Sequence, residues 1–277
     1  PNHFMDKKQL LTDLKTVDET FSDKAMASIA KVSYIEHYNK QNPNDKYIQN
    51  DVFYPTSKTA KERFNRFATR TINLDPIKRI TNFHEPVLLR GATGTGKELL
   101  AQALHGDRTG KFVTVNCAAM TETLLDSELF GHSKGAVTGA DSTNIGLFAT
   151  AKDGTVFIDE LCAASKHMQT KLLRVIEYGT FRSVGNNTES RTNCRIVFAT
   201  SGDINTLLPD LVGRIPFDFT IPPLAERLDD IPEILDAINP DGTFPRDFVW
   251  QAHMLPYNVR SLKRAVLRHL FYEELPA

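Results

Sequence analysis

The tightest constraint on this chain is the stretch Gly91-Ala92-Thr93-Gly94-Thr95-Gly96-Lys97. It follows the apolar run Val87-Leu88-Leu89 directly and precedes Glu98-Leu99-Leu100-Ala101-Gln102-Ala103-Leu104, which has helix-forming composition. Glycines recur where backbone N–H groups must close around phosphate oxygens and a Cβ would clash, and the helix start adds donors and a favourable dipole. The spacing predicts a strand, a phosphate-binding loop and a helix, with Lys97 meeting the β and γ phosphates of a nucleotide. A G-x-x-x-x-G-K string alone would arise by composition in on the order of one chain in ten of this length, so the flanking patterns carry the reading. Glu98 stands where the usual Ser or Thr would place a hydroxyl on Mg²⁺.

Hydrolysis also needs a carboxylate to hold metal and a group to orient water. Gly154-Thr155-Val156-Phe157-Ile158-Asp159-Glu160 supplies both. Its apolar run fits a parallel strand covered on both faces, and its acids fall at the carboxyl end, where open α/β sheets place ligands. Asp159 is expected to hold Mg²⁺ through water and Glu160 to polarise the attacking water. Standing alone, the segment would read as an ordinary strand end with solvated acids.

Between these motifs lies Ser127-Glu128-Leu129-Phe130-Gly131-His132-Ser133-Lys134-Gly135-Ala136-Val137-Thr138-Gly139-Ala140. Gly91 to Glu98, Val115 to Ala119, Glu128 to Ala140, Gly154 to Glu160 and Lys171 to Gly185 follow one another as G-x-x-G-T-G-K-E, V-N-C-A-A, E-L-F-G-H-x-K-G-A-x-T-G-A, a strand ending in D-E, and K-L-L-R-V-x-x-x-G-x-F-x-x-V-G. In this order the chain resembles the AAA+ domain of bacterial sigma-54-dependent transcription activators, over roughly residues 85 to 277. The family's Lys-Glu ending also accounts for Glu98.

The resemblance implies an AAA+ P-loop NTPase: an α/β core with a doubly wound parallel sheet, followed by a small α-helical lid. It implies ATP and Mg²⁺ as ligands and a homo-oligomeric ring, hexamer or heptamer, that remodels RNA polymerase holoenzyme carrying sigma-54. The loop Gly135, Ala136, Val137, Thr138, Gly139, Ala140 would touch the sigma factor; read from composition alone, it is a flexible small-residue loop. Asn116 matches the residue that holds Glu160 between turnovers, Ser201 stands at the sensor position, Arg214 matches an arginine finger acting on the neighbouring subunit, and Arg260 matches the arginine that reads nucleotide from the lid.

Departures from the family pattern are Val137 for an aromatic residue, Ser201 for the sensor Asn, Leu208 for the first of two finger arginines, and Leu255, Tyr257 and Ser261 for Trp, Gly and Glu around Arg260. They leave open a nucleotide-gated binding module with weak or no turnover as the alternative to an ATP-hydrolysing remodeller.

Strands are expected near 86–90, 112–115, 155–158, 195–199 and 217–221, alternating with helices. A hairpin is expected at Phe181 to Asn186, after a helix at Lys166 to Glu177. From Pro222 the pattern turns helical, with Leu228, Ile231, Ile234 and Leu235, then Val259, Leu262, Val266, Leu267 and Leu270 at helical spacing. The stretch between Leu235 and Leu255 is shorter than the family's. The expected division is a helical segment of unreadable role at 1–50, the core at 51–224 and the lid at 225–277, with Gln41 to Asp45 as a turn-rich linker.

The formal net charge of −1 lacks the basic excess of a stand-alone nucleic-acid binder, so DNA contact is expected only through a domain outside this chain. Cys117, Cys162 and Cys194 are odd in number and show no C-x-x-C spacing, so they read as reduced thiols. His132 has no second ligand at helical or turn spacing, and no metal beyond nucleotide-bound Mg²⁺ is expected. No apolar stretch approaches the ~20 residues of a membrane span, and the chain is expected to be cytoplasmic.

Overall fold

A computed structural model describes Phe64, Phe67 and residues 69–136, 142–239, 242, 244–272 and 275–276. The helices and linker expected within residues 1–50 lie outside these.

Five parallel strands form the sheet: β1 Val87–Arg90, β2 Phe112–Asn116, β3 Thr155–Asp159, β6 Arg195–Thr200 and β7 Phe217–Thr220. Their order is β2-β3-β6-β1-β7. All five expected strands form, each within a residue or so of its expected limits. Alternation along each strand explains the layering. Leu88, Val115, Val156, Ile158, Ile196 and Phe198 face one layer, containing helices α3 Glu122–Phe130, α4 Leu147–Ala151 and α5 Lys166–Tyr178. Val87, Leu89, Phe157, Val197 and Ala199 face the other, with α1 Asp75–Arg79 and α2 Lys97–His105. Both faces are buried, as a doubly wound sheet requires, and each such Val, Leu, Ile or Phe side chain contributes about 1.5–3 kcal/mol.

Arg195, fully buried at the start of β6, fastens the amino edge of the sheet. Its guanidinium donates to the carbonyls of Ile80 (2.9 Å), Thr81 (2.9 Å), Leu104 (3.1 Å) and Glu85 (3.3 Å). Three of these carbonyls, those of Ile80, Thr81 and Leu104, follow α1 or lie in the last turn of α2, where a cation complements the helix dipole. Burial lowers the Arg195 pKa to about 10, with Arg108 nearby adding to the shift.

Ser165 caps α5 by accepting from the Met168 N–H. The inserted hairpin follows but is longer than the sequence reading: β4 Thr180–Arg182 pairs antiparallel with β5 Glu189–Arg191, so the turn begins near where the hairpin was expected to end. After α6 Pro209–Gly213 and β7, the chain enters a third cluster, with Leu224, Ile231, Ile234, Leu235, Ile238, Phe244, Trp250, Leu255 and Leu262 at its centre. Its helices are α7 Ile231–Ile238 and α8 Val259–Tyr272. Leu228 is not on α7 as its spacing implied; it sits 36% exposed in a 3₁₀ turn, Leu228–Asp230, because Pro232 sets the helix start at Ile231. Between the two helices the described residues hold stacked and edge-on rings of Phe244, Phe248 and Trp250. Large aromatic rings fill space there without a further α-helix.

Candidate nucleotide site

The loop between β1 and α2 is shaped by glycines that no other residue could replace without strain. Gly91 has φ +155° and Gly94 φ +82°; a Cβ on Gly94 would lie 2.3 Å from the Tyr257 carbonyl oxygen, and one on Gly91 2.7 Å from that of Ile221. Thr95 is buried and its hydroxyl donates to Ala92 O at 2.9 Å. Lys97, in the first turn of α2, is only 7% exposed, and its ammonium donates to Gly91 O (2.7 Å) and Ala92 O (3.3 Å). Burial lowers its pKa, against the opposing pull of Asp159 and Glu160. Glu98 follows on α2 and bonds Gln102 at 3.4 Å.

Parallel register lines up the strand ends. Asn116 pairs with Asp159, Ile158 with Phe198, and Arg90 with Thr200, so Asn116, Asp159, Glu160, Ser201 and the loop share the carboxyl edge of the sheet. Asp159 is half-buried, and its pKa is raised by that burial with help from Glu160, although the Glu160 N–H (2.9 Å) and the charges of Lys97 and Arg260 oppose the shift. Glu160 takes a left-handed backbone, φ +51°, a conformation that costs a non-glycine residue energy and clusters at functional sites. Its carboxylate accepts from Ser201 Oγ at 2.8 and 2.9 Å and from Ser201 N at 3.2 Å. Asn116, the residue assigned to hold Glu160, instead accepts from Ala118 N at 2.8 Å and caps a 3₁₀ turn. In this structure the hydroxyl of Ser201 does the holding.

The lid closes over the loop through contacts that sequence reasoning missed. Val259 N donates to Gly94 O (3.0 Å), Asn258 Nδ2 to Thr93 O (2.9 Å) and Arg227 Nη2 to Thr95 O (3.0 Å). Asn258 is itself fixed by accepting from Leu224 N at 2.6 Å. Asn258 lies two residues before Arg260, and Arg227 stands three before Asp230 at the head of an apolar helix; that spacing was the available signal. Arg260 places its Cγ 3.3 Å from the Cβ position of Gly94, and its charge acts on both Lys97 and Asp159.

Arg214 is not gathered at this loop. It sits at the end of α6, 59% exposed, paired with Glu177 at 2.6 Å. Leu208 packs against the main core, and its N–H donates to Gln169 at 2.7 Å. Of the small-residue loop, Gly135 and Ala136 are described; Val137, Thr138, Gly139 and Ala140 lie outside the described residues. The loop stem is tied to the inserted hairpin: Ser133 N donates to Val184 O (3.1 Å), Val184 N to Gly131 O (2.9 Å), and Gly185 packs on Ala136. His132 belongs to this stem, with Nδ1 2.6 Å from Ser127 Oγ and Nε2 3.0 Å from Ser142 O.

The described residues contain no group of three or more His, Cys, Asp or Glu placed to hold a metal ion. All three cysteines are free. Burial pushes the Cys117 thiol up to about 12, aided by Asp159 and Glu160, and the Cys194 thiol up to about 11. No helix among the described residues is long and apolar enough to cross a membrane.

A family model described as the Sigma-54 interaction domain matches residues 66–212. The Psp operon transcriptional activator of Escherichia coli (strain K12) is 40% identical over 220 residues, covering 72% of this chain and 68% of that protein. The Nif-specific regulatory protein of Rhodobacter capsulatus is 42% identical over 212 residues, covering 69% of this chain but 37% of that protein. Among solved structures, NtrX from Brucella abortus in complex with ADP matches with a TM-score of 0.64 at 26% identity, over 93% of this chain and 59% of that one. Apart from the Psp activator, these matches span less than two thirds of the relative's own length.

Proposed function

Since this chain belongs to the sigma-54 interaction domain family of AAA+ transcription activators, we propose that it is a cytoplasmic ATPase whose homo-oligomeric ring, hexamer or heptamer, remodels RNA polymerase holoenzyme carrying sigma-54. DNA would be met through a domain outside this chain. One observation carries the reading: Lys97, Asp159 and Glu160 converge at one sheet edge, on a glycine loop gripped by the lid.

ATP is the substrate. Backbone N–H groups of Gly91 to Glu98 take its phosphates, and Lys97 offsets their charge. Glu160, on leaving Ser201, accepts a hydrogen bond from the attacking water and polarises it; Ser201 then registers the departure of the carboxylate, and Asn116 offers it a second resting partner. Burial beside a second carboxylate disfavours the charged form of Asp159, a cost that a divalent cation would offset, and its oxygens are of the kind such an ion takes. Asp159 would hold Mg²⁺ through water, and the ion supplies charge neutralisation at the phosphates. Arg260 reads the nucleotide from the lid. Arg214, exposed and paired with Glu177, serves the neighbouring subunit's nucleotide, where such a finger is worth about 10³–10⁵ in rate. The loop Gly135 to Ala140 engages the sigma factor, moved by the hairpin that its stem bonds. The lid is taken to start at 225, after a core beginning near 51.

Leu208, partly buried against the core where a first finger arginine would stand, favours one second reading, a nucleotide-gated binding module with weak or no turnover. Steady-state ATP hydrolysis against protein concentration, for the parent and Arg214→Ala, separates the two. Turnover that rises cooperatively and is lost in the variant is the expected result. ATP bound without turnover at any concentration would select the binding module.

A further inference from the structure

Asp230 has no part in the chemistry above, yet it is fully buried and saturated with donors. Oδ1 accepts from Arg70 N (2.6 Å) and Thr71 N (2.9 Å); Oδ2 accepts from Thr69 Oγ1 (2.6 Å), Thr71 Oγ1 (3.0 Å) and Arg227 Nη1 (3.0 Å). Arg227, 3% exposed, directs two further donors to Pro222 O (3.1 Å) and Thr95 O (3.0 Å). Its guanidinium also lies over the Phe67 ring, 5.9 Å from the centroid, and the edge of that ring stands 3.0 Å from the Cβ position of Gly96. Arg70 pairs in addition with Glu233 on α7. The segment ahead of α1, the head of the lid and the nucleotide loop are therefore joined through one buried ion pair.

The grip on Thr95 O has a geometric effect on the loop. A trans peptide is planar, with its N–H opposite its C=O. Holding Thr95 O fixes the direction of the Gly96 N–H, and holding Thr93 O through Asn258 does the same for Gly94. These are amides of the kind a phosphate needs oriented in advance, because ordering them on binding would subtract from affinity.

We infer that Arg227 and Asp230 are positioning residues for the nucleotide loop, and that Phe67, Thr69, Arg70 and Thr71, which lie outside the loop, set its affinity for nucleotide through them. This rests on the reading of the loop as a nucleotide site. Arg227 contributes the grip itself; Asp230 orients Arg227 while being held by Thr69, Arg70 and Thr71. A pair that merely fastened the lid would affect folding and leave affinity alone once the chain is folded.

The test titrates a fluorescent ADP analogue into the full 277-residue chain and records the thermal midpoint without nucleotide. Arg227→Lys keeps a charge for Asp230 but cannot span all three acceptors, and should raise Kd about tenfold. Thr69→Val removes a hydroxyl that donates to Asp230 at 2.6 Å and accepts from Ile72 N at 3.1 Å, bonding neither the loop nor Arg227, and should raise it about threefold. Ile238→Val, in the lid core, is the control: it should lower the midpoint and leave Kd within about twofold. An unshifted Kd in both Arg227→Lys and Thr69→Val, or a Kd that follows the midpoint in all three variants, overturns the inference. If Arg227→Lys does not fold, Thr69→Val decides alone. Failure of the parent chain to bind the analogue overturns the functional reading and this inference with it, whereas parent binding with unshifted variants overturns this inference alone.

Discussion

Glu160→Gln isolates the carboxylate from everything else Glu160 does. The amide can still accept from Ser201 N and exchange a hydrogen bond with the Ser201 hydroxyl, which now spans both carboxylate oxygens at 2.8 and 2.9 Å. The left-handed backbone at φ +51° costs glutamine what it costs glutamate, so folding should change by less than about 0.5 kcal/mol. One negative charge leaves the site. Asp159 loses a neighbour that raises its pKa and Lys97 one that supports its own, so both should move down together. ATP affinity should therefore stay within about twofold. Turnover is another matter, because a positioned base contributes about 10²–10⁴ in rate, or about 3–5 kcal/mol of barrier at 1.36 kcal/mol per decade. Phosphate release at saturating ATP should fall at least about a hundredfold. A variant turning over within about threefold of the parent would remove Glu160 from the mechanism and refute the reasoning. Glu160→Gly separates strain from chemistry: turnover should be lost just as fully, while stability measured in urea rises by about 1 kcal/mol as the left-handed strain is relieved.

Gly94→Ala should abolish binding of the fluorescent nucleotide, since its Cβ would press within 2.3 Å of Tyr257 O; retained affinity would mean the lid can retreat freely. Arg195→Met should cost about 3 kcal/mol in urea denaturation, because the Ile80 and Glu85 carbonyls lose their charged donor in a buried setting, and a loss under about 1 kcal/mol would show that water replaces it. Burial alone would raise the Asp230 carboxyl, but its hydrogen bonds from Thr69, Arg70, Thr71 and Arg227 outweigh this and hold its pKa below the ordinary value. Its stabilisation is therefore full above about pH 4 and lost as pH falls through the depressed value. Asp230→Asn should flatten that acid limb in urea midpoints taken against pH. The Cys117 thiol, pushed up to about 12, stays protonated at pH 8 and should resist a thiol reagent until the chain unfolds.

What could be read along the chain is what depends on near neighbours in it. Glycines spaced for a left-handed turn, an apolar run before them and a helix after them are local facts, so the loop at Gly91 to Lys97 and the strand ending at Asp159 stand where the pattern placed them. Strand periodicity likewise announced a two-faced sheet. Limits slipped where local signals were weak: the hairpin extends to Arg191 because Thr180 to Arg182 finds its partner across a turn of exposed polar residues, and Leu228 left its helix because Pro232 restarts it. Other features required the fold. Ser201 meets Glu160 from 41 residues away, since parallel register brings the ends of β3 and β6 side by side. Arg227 and Asn258 reach Thr95 and Thr93 across 132 and 165 residues, and Asp230 meets Thr69 across 161. Composition lists these polar side chains as ordinary. Only burial makes them matter, because a carboxylate or guanidinium withdrawn from water must find every partner within the protein, and it is the packing of lid on sheet that decides which partners those are.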